Sequence, residues 1–518
     1  MKNTSVMSRF KLALIAMTIF CGTTVSGQIE RAALFAADGV VSDRYGSSVA
    51  VSGDVVVVGA YLDDELGGAS GLAYVYARHE GGLDNWGLVT KLTASDGVAN
   101  DWFGAAVAID GDIVVVGAKL DDDNGDSSGS VYVYARDEGG PDNWGEVTKL
   151  IASDGAIDEQ FGDALSISGD LLLVGAHLDD DNGFFSGSAY VFARNLGGPD
   201  NWGEVTKILP SDGDSSDQFG DAVSIDGDIA IVGAGIDEDN GEGAGAVYIF
   251  AKDLGGPDNW GEVTKLLAPD GMLADKFGAS VALSGDILMV GALKGDGVVV
   301  DSGSAYLFDR NKGGSNNWGI VTEIFASDAA LDDWFGLHVS LDGSNAIVSA
   351  IFSDGIVADS GSAYVFARNQ GGNDNWGETA KLTASNGALD DEFGRAVAID
   401  GDAAIVGAFT GDGIVADTGS AYLYDGVALG WLQGDCNGNG ESDLLDVIAA
   451  SSPDCNCNYI PDECDIASGF SLDLNFDGVP DECLPICPAD ITGPGGVPDG
   501  VVDVEDLLVL LAAWGACP

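Results

Sequence analysis

Oxygen-bearing side chains near the carboxyl terminus are spaced as calcium ligands are spaced. In the twelve-residue segment 435–446, Asp, Asn or Glu recurs at alternate positions and glycine stands at the sixth. Calcium takes about six to eight oxygen ligands, and the glycine permits the sharp turn that gathers them. The segment therefore predicts a calcium site with the candidate ligands Asp435, Asn437, Asn439, Glu441, Asp443 and Asp446.

Three further segments of the tail carry the same side-chain chemistry at regular intervals. Their candidate ligands are Asp454, Asn456, Asn458 and Asp462, then Asp473, Asn475, Asp477 and Asp481, and finally Asp490, Asp499, Asp503 and Asp506. Short apolar helices are expected after residues 446 and 506. An acidic disordered tail is the alternative, but such a tail has no need of regular ligand spacing. Calcium is therefore the cofactor that the tail predicts.

Residues 435–446, with their EF-hand-like spacing, resemble half of a dockerin repeat, and residues 454–481 resemble thrombospondin type 3 repeats. The first resemblance implies a docking partner for the tail. The second implies a calcium-bound ribbon pinned by disulfides, with Cys464 and Cys483 as half-cystines. Seven cysteines lie between Cys436 and Cys517, so one is left free or pairs outside the chain.

The two ends of the chain differ in composition from the middle. Residues 1–27 combine Lys2, Arg9 and Lys11 with a short apolar stretch and small residues, which predicts a cleaved export signal. That stretch is too short to span a bilayer, and no later segment is a transmembrane candidate. We therefore expect a secreted or cell-surface protein with a signal peptide at 1–27, a main domain at 28–430 and the tail at 431–518.

Charge excludes some partners. The 84 acidic residues against 21 basic ones give a formal charge of −63. A surface this negative repels nucleic acid and anionic lipid, so neither is an expected partner. It suits divalent cations and cationic partners.

An aromatic-glycine pair recurs every 58 residues through the main domain. The aromatic residues are Tyr45, Phe103, Phe161, Phe219, Phe277, Phe335 and Phe393. Within the second unit, residues 105–110, 113–118, 130–136 and 147–152 read as four short strands joined by tight turns. Seven such units predict an all-β, seven-bladed propeller of four-stranded blades.

The seventh unit lacks its fourth strand, and a matching segment at residues 32–39 precedes the first unit. An N-terminal strand that completes the last blade removes two exposed sheet edges. We therefore predict a closed ring rather than a linear array.

The units resemble the FG-GAP repeat, which builds the propellers of integrin alpha subunits and many bacterial surface proteins. In the second unit the resemblance is carried by residues 103–104, 114–118 and 129–134, and it extends over about residues 30 to 425. It implies adhesion or ligand binding rather than catalysis. The acidic calcium loop of integrin-type blades is not carried over, because only residues 110–112 join the first two strands here.

Meander topology places the loop between strands two and three on the same face as the connection between blades, and this face collects most of the acidic residues. Two interpretations of its second-to-third-strand loops stay open, namely structural turns or bound calcium. The candidate ligands are Asp121, Asp123, Asp179, Asp181, Asp237 and Asp239.

One position on this face differs in every unit. It follows the Gly-Ala that ends strand two, which we expect near the axis, and it is occupied by Tyr61, Lys119, His177, Gly235, Leu293, Ile351 and Phe409. Such diversity is what an asymmetric ligand face requires, although drift at a permissive position is the alternative. We expect Tyr61, Ile351 and Phe409 to be exposed contacts.

The sequence predicts no enzyme, because the histidines occupy unrelated repeat positions and no catalytic motif is recognised. The leading hypothesis is a calcium-dependent binding or adhesion scaffold for an extracellular protein or glycan. The alternatives are an exported propeller enzyme that acts on carbohydrate through axial carboxylates, and an inert cation-buffering structural protein.

Overall fold

The computed structural model describes residues 29–80, 85–196, 198–413 and 415–425. These ranges contain 28 strands arranged in seven antiparallel four-stranded sheets. The predicted seven-bladed, all-β propeller is confirmed. The export signal and the whole tail, with its predicted calcium ligands and helices, lie outside the described residues.

Strand β1 spans Ile29–Leu34 and precedes the first blade. Blades one to three comprise β2 Tyr45–Ser52, β3 Val55–Ala60, β4 Leu72–Ala77 and β5 Gly87–Leu92; β6 Phe103–Asp110, β7 Ile113–Ala118, β8 Ser130–Ala135 and β9 Gly145–Leu150; β10 Ala164–Ser168, β11 Leu171–Ala176, β12 Ser188–Ala193 and β13 Gly203–Ile208. Blades four and five comprise β14 Ala222–Asp226, β15 Ile229–Ala234, β16 Ala246–Lys252 and β17 Trp260–Leu266; β18 Phe277–Ser284, β19 Ile287–Ala292, β20 Ser304–Asp309 and β21 Gly319–Ile324. Blades six and seven comprise β22 Val339–Asp342, β23 Asn345–Ala350, β24 Ser362–Ala367 and β25 Gly377–Leu382; β26 Phe393–Asp400, β27 Ala403–Ala408 and β28 Ser420–Asp425.

Strand β1 closes the ring. It pairs antiparallel with β28 and is the outermost strand of the seventh blade, as predicted. Its position differs from the predicted residues 32–39, because the backbone N–H of Gly39 donates to the carbonyl of Ala36 at 3.1 Å and turns the chain there. Leu34 is buried against the first and last blades, so this terminal strand belongs to the core.

Burial follows the strand order within each blade. All six residues of β7 are buried, as its continuous apolar sequence predicts for a strand covered on both faces. The outer strand β9 is only half-buried. It starts at Gly145, two residues before the predicted start, because Gly145 already pairs with Ala135 of β8.

Neighbouring blades touch backbone to backbone at the repeated glycines. Gly104 has a φ of +88°, and a Cβ on it would stand 2.2 Å from the carbonyl oxygen of Leu72 in the preceding blade. The aromatic residue beside it packs edge-on against strand three of its own blade, with 5.4 Å between the ring centroids of Phe103 and Tyr132. The 58-residue period thus records one interblade contact repeated around the ring.

The first strand of each blade is the innermost strand, and these strands contact one another around the axis. Strand two, expected near the axis, is the second strand from it in each blade. Apolar residues of the first strands, such as Val107, Leu283 and Ile399, line a narrow inner cavity of about 240 Å³.

Candidate binding face

The two faces of the propeller have very different loops. We call the face formed by the loops between strands two and three, together with the connections between blades, the upper face. The lower face is formed by the tight first hairpins and by the loops that carry the repeated tryptophans. The first strand of each blade begins at the upper face, and the second strand ends there. The axial cavity lined by these strand ends therefore opens on the same face as the wide loops.

The acidic residue two positions before each repeated aromatic residue has a structural role. The side chain of Asp43 accepts a hydrogen bond from the backbone N–H of Val40 at 2.7 Å, and six other blade connections repeat this contact. Each acid is buried in its own turn. Burial, opposed by this hydrogen bond, raises the pKa of Asp43, Asp101 and Asp217 to about 6.

The loop aspartates considered as calcium ligands surround a lysine of the fourth strand. In blade three, the Lys207 ammonium lies 3.0 Å from Asp154, 2.7 Å from Asp179 and 2.6 Å from Asp181. Equivalent clusters join Lys149 to Asp96, Asp121 and Asp123, and Lys265 to Asp212, Asp237 and Asp239. The lysine ammonium places a positive charge among these carboxylates, which is the role that calcium was considered to have. Calcium at these positions stays a prediction.

The divergent residues that follow strand two differ in their exposure and in whether they line the axial cavity. Tyr61, Lys119, Gly235 and Leu293 line a polar cavity of about 480 Å³ at the upper end of the axis. Ile351 is only 4% exposed and Leu293 only 6%, so the expectation that Ile351 is an exposed contact was wrong. Phe409 and Tyr61 are half-buried.

We call the upper end of this cavity the axial mouth. It is formed by the residues that flank each aromatic-glycine pair and by the residue that follows strand two. Its blade-two and blade-three side carries a compact polar cluster. Lys119 lies 2.7 Å from one oxygen of Asp163, and His177 Nδ1 lies 3.0 Å from the other. Asp221 joins them, and ligand atoms of Asp163, His177 and Asp221 all lie within 4.8 Å of one another.

The two carboxylates of this cluster differ in acidity. Burial opposes ionisation of Asp163, but the contact with His177 and the Lys119 ammonium outweigh burial and hold its pKa well below the ordinary value. For Asp221, burial dominates and raises the pKa, although His177 opposes the shift. The cluster offers acidic ligands for a metal ion, but one of them is already neutralised by lysine.

The opposite side of the axial mouth is cationic and aromatic. The guanidinium carbons of Arg44 and Arg395 lie 4.7 Å and 5.3 Å from the ring centroid of Phe409. Burial, reinforced by the nearby Arg395 charge, lowers the pKa of His338 to about 3. The neutral ring nitrogen Nε2 of His338 therefore accepts a hydrogen bond from Arg395 Nη1 at 2.7 Å.

Exposed apolar side chains concentrate on the upper face. Among the described residues, twenty large apolar side chains are exposed, and sixteen of them lie in upper-face loops. These are Val40, Val41, Leu66, Val98, Ile151, Ile157, Phe184, Met272, Leu273, Val298, Val300, Leu331, Ile356, Val357, Leu389 and Val415, whereas Leu88, Leu196, Leu254 and Ile320 lie elsewhere. The wide loops of the upper face therefore carry most of the large exposed apolar side chains of the described residues.

Several residues of the axial mouth escaped the sequence analysis. Trp102 lines the cavity and stacks 5.0 Å from Tyr61, and Arg395 lines the cavity opposite. The signal was present, because the residues on either side of the aromatic-glycine pair also vary between units, with five residue types at each of the two positions. Comparing those two columns across the seven units identifies both residues.

Comparison with known proteins gives a clear result for the repeats. The sequence profile described as the FG-GAP repeat matches seven times, at residues 29–76, 86–134, 144–192, 202–250, 260–308, 318–366 and 376–424. Curated proteins give no significant match. One solved structure, titled "Crystal Structure of Mitotic Checkpoint Complex", aligns over 82% of this chain and 99% of its own, at 12% identity and a TM-score of 0.47. Within the described ranges, no helix is long and apolar enough to cross a membrane.

Proposed function

The chain belongs to the FG-GAP repeat family, and from this premise we propose that it is a secreted or cell-surface binding scaffold without catalytic activity. The upper face is its ligand-binding surface, and an extracellular protein or glycan is its partner. The observation that carries the proposal is the placement on this one face of sixteen of the twenty large apolar side chains that are exposed among the described residues.

Charge supports the same face. The exposed apolar residues stand among loop carboxylates, for example Leu331 beside Asp332 and Ile356 beside Asp354. An apolar contact surface surrounded by negative charge attracts a partner with a basic, partly apolar surface. Long-range attraction of this kind accelerates association and weakens as salt screens it.

The test is a protein and glycan array probed with the mature chain in calcium and in a chelator. A positive partner is then measured against Phe184→Ser and Leu273→Ser on the upper face. Both variants are expected to weaken binding at least fivefold. Leu196→Ser and Leu254→Ser, which change exposed apolar residues of the lower face, are the controls. Loss of binding in the controls alone would refute the assignment of the face.

We propose in addition that the tail binds calcium and docks the scaffold to its site of action. The support is the ligand spacing of residues 435–446 and its resemblance to a dockerin half-repeat. Calorimetric titration of the full chain is expected to show at least two calcium sites, one of which is lost in Asp435→Ala with Asp446→Ala. Titration heat that is absent, or unchanged in the double variant, would remove the tail from the proposal.

A carbohydrate-cleaving enzyme is the second candidate, because one observation favours it. Asp163 and Asp221 lie close together at the axial mouth, and their pKa values are shifted in opposite directions. Glycosidases use such a pair, with one carboxylate ionised and the other protonated. Release of reducing ends from a glycan on the array, abolished in Asp221→Asn, would favour this candidate over the scaffold.

A further inference from the structure

The positive charges of the propeller are distributed unevenly. Of the eighteen Lys and Arg residues between positions 29 and 425, eleven keep two repeat positions, on strand four and at the start of the tryptophan loop. Seven do not follow the repeat. Four of these seven belong to the axial mouth, namely Arg44, Lys119, Lys276 and Arg395. A fifth, Lys294, stands beside it.

Three of the four cations of the axial mouth lack, within the described ranges, the ion pairs that most cations of the propeller make. The repeat lysine of blades two, three and four touches three carboxylates in each blade. Lys119 pairs with Asp163. Within the described part of the chain, no carboxylate lies in ion-pair contact with Arg44, Lys276 or Arg395. Among the described residues, six cations lack ion pairs, and three of these six stand around one opening of a chain with a formal charge of −63.

The cationic corner of the axial mouth is held in place by neutral groups. Arg395 is held by the hydrogen bond to His338 and by a cation–π contact with the Phe409 ring. Arg44 makes a cation–π contact with the same ring. Neither kind of contact neutralises the guanidinium charge. Burial raises the pKa of Glu392, which precedes Phe393, against the opposing pull of both arginines. A positioned guanidinium that keeps its charge and free N–H groups is suited to bidentate contact with an oxyanion.

We propose that the axial mouth binds an oxyanion of the ligand, with Arg395 as the direct contact and with Arg44 and Lys276 as flanking charges. The carboxylate is the expected form, since its planar geometry matches the guanidinium fork. This inference rests on the proposed function, because it specifies what the upper face recognises at its centre.

The surrounding charge limits the kind of ligand that fits. The upper-face loops are acidic, so a polyanion would be repelled before it reached the axis. Screening reduces that repulsion beyond about 8 Å at physiological salt, which leaves local contacts to decide at the mouth. We therefore expect one anionic group at the tip of an otherwise neutral or basic ligand.

The test uses small anions rather than the macromolecular partner, so its failure is distinguishable from failure of the proposed function. Sodium acetate and sodium sulfate are titrated separately into the full chain at constant ionic strength. Tryptophan fluorescence is the readout, because Trp102 lines the cavity. Saturable quenching by acetate is expected, and it should disappear in Trp102→Phe. Saturation by sulfate alone would keep the site and change the ligand to a tetrahedral oxyanion.

Two variants decide the matter. Arg395→Gln is expected to raise the dissociation constant at least tenfold, and Arg44→Gln about threefold. Arg310→Gln is the matched control, because Arg310 is a lower-face arginine paired with Asp286, and its dissociation constant should not change. Circular dichroism melting shows that each variant is folded. Absence of saturation with both anions, or equal affinity in wild type and Arg395→Gln, overturns the proposal.

Discussion

The periphery of the blades and the axial mouth follow opposite rules. At the periphery, the lysines of blades two, three and four sit in nearly superimposable cages of three carboxylates. At the mouth, one side holds Asp163 with Lys119, and the other holds Arg395 with His338. The contacts that recur tie the connection between blades to the loop between strands two and three. Those that differ have no such repeated role and are available for recognition.

This comparison assigns stability to the periphery and binding to the axis. It is open to test from both directions, since a peripheral change should alter melting and an axial change should alter affinity.

The largest effect is expected from removing β1. Deleting residues 28–39 leaves β28 as an exposed edge and removes Leu34 from the core between the first and last blades. The melting temperature is expected to fall by more than 10 °C, with self-association visible by size-exclusion chromatography. Arg31→Ala, which removes one ion pair of the largely buried Asp425 carboxylate and leaves its pair with Arg78, is the control and should change both readouts much less than the deletion. A monomeric deletion variant with wild-type melting would show that ring closure contributes little.

The second prediction compares the stability lost when a lysine is replaced at the periphery with that lost when a lysine is replaced at the axial mouth. Lys207→Met removes the ammonium from buried Asp179, which keeps hydrogen bonds from Ser188 and Tyr190. Breaking a buried pair costs about 3 to 5 kcal/mol, and these remaining donors reduce the expected loss to about 2 kcal/mol. Lys276→Met at the mouth removes no ion pair and should cost less than about 0.5 kcal/mol. Urea denaturation measures both, and equal losses would erase the distinction.

A third, smaller effect concerns pH. Asp43, Asp101 and Asp217 have pKa values raised by burial to about 6, compared with an ordinary value near 4. Between pH 4 and 6 the folded chain binds more protons than the unfolded chain, so the free energy of unfolding decreases as pH rises through this window. We expect the propeller to be more stable at pH 5 than at pH 7.5, by about 1 kcal/mol per group at most.

The lysine cages act in the opposite sense and at lower pH. Although burial opposes ionisation, Lys207 lowers the pKa of Asp154, so the stability that this acid contributes is lost only as pH falls below its ordinary titration range.

The triple variant Asp43→Asn, Asp101→Asn and Asp217→Asn removes the three carboxylates with raised pKa values, so it should flatten the stability profile between pH 5 and 7.5. A profile unchanged in this variant would assign the pH dependence to general charge repulsion instead.

The fold was predictable because its determinants are local and repeated seven times. The aromatic-glycine pair and the Gly-Ala each record a backbone contact, so their spacing reveals the blade and the split seventh unit reveals closure. The mouth was only partly predictable. Sequence identified the divergent position of Tyr61, but burial of Ile351 and the role of His338 depend on which neighbouring strands stand beneath them. No repeat pattern encodes that, because each occurs once.

The smallest effect tests the axis directly. Tyr61 and Phe409 are half-buried at the mouth, where they stack with Trp102 and with the two arginines. Once a partner is found on the array, Tyr61→Ala and Phe409→Ala should each weaken binding by about 1 kcal/mol, since aromatic anchors contribute most at the centre of an interface. Their melting temperatures should stay close to wild type, because neither residue belongs to the repeated aromatic-glycine contacts between blades. Normal binding in both variants, together with weakened binding in Leu196→Ser on the lower face, would show that the partner does not bind at the axial mouth. The sequence diversity of the mouth would then reflect neutral drift.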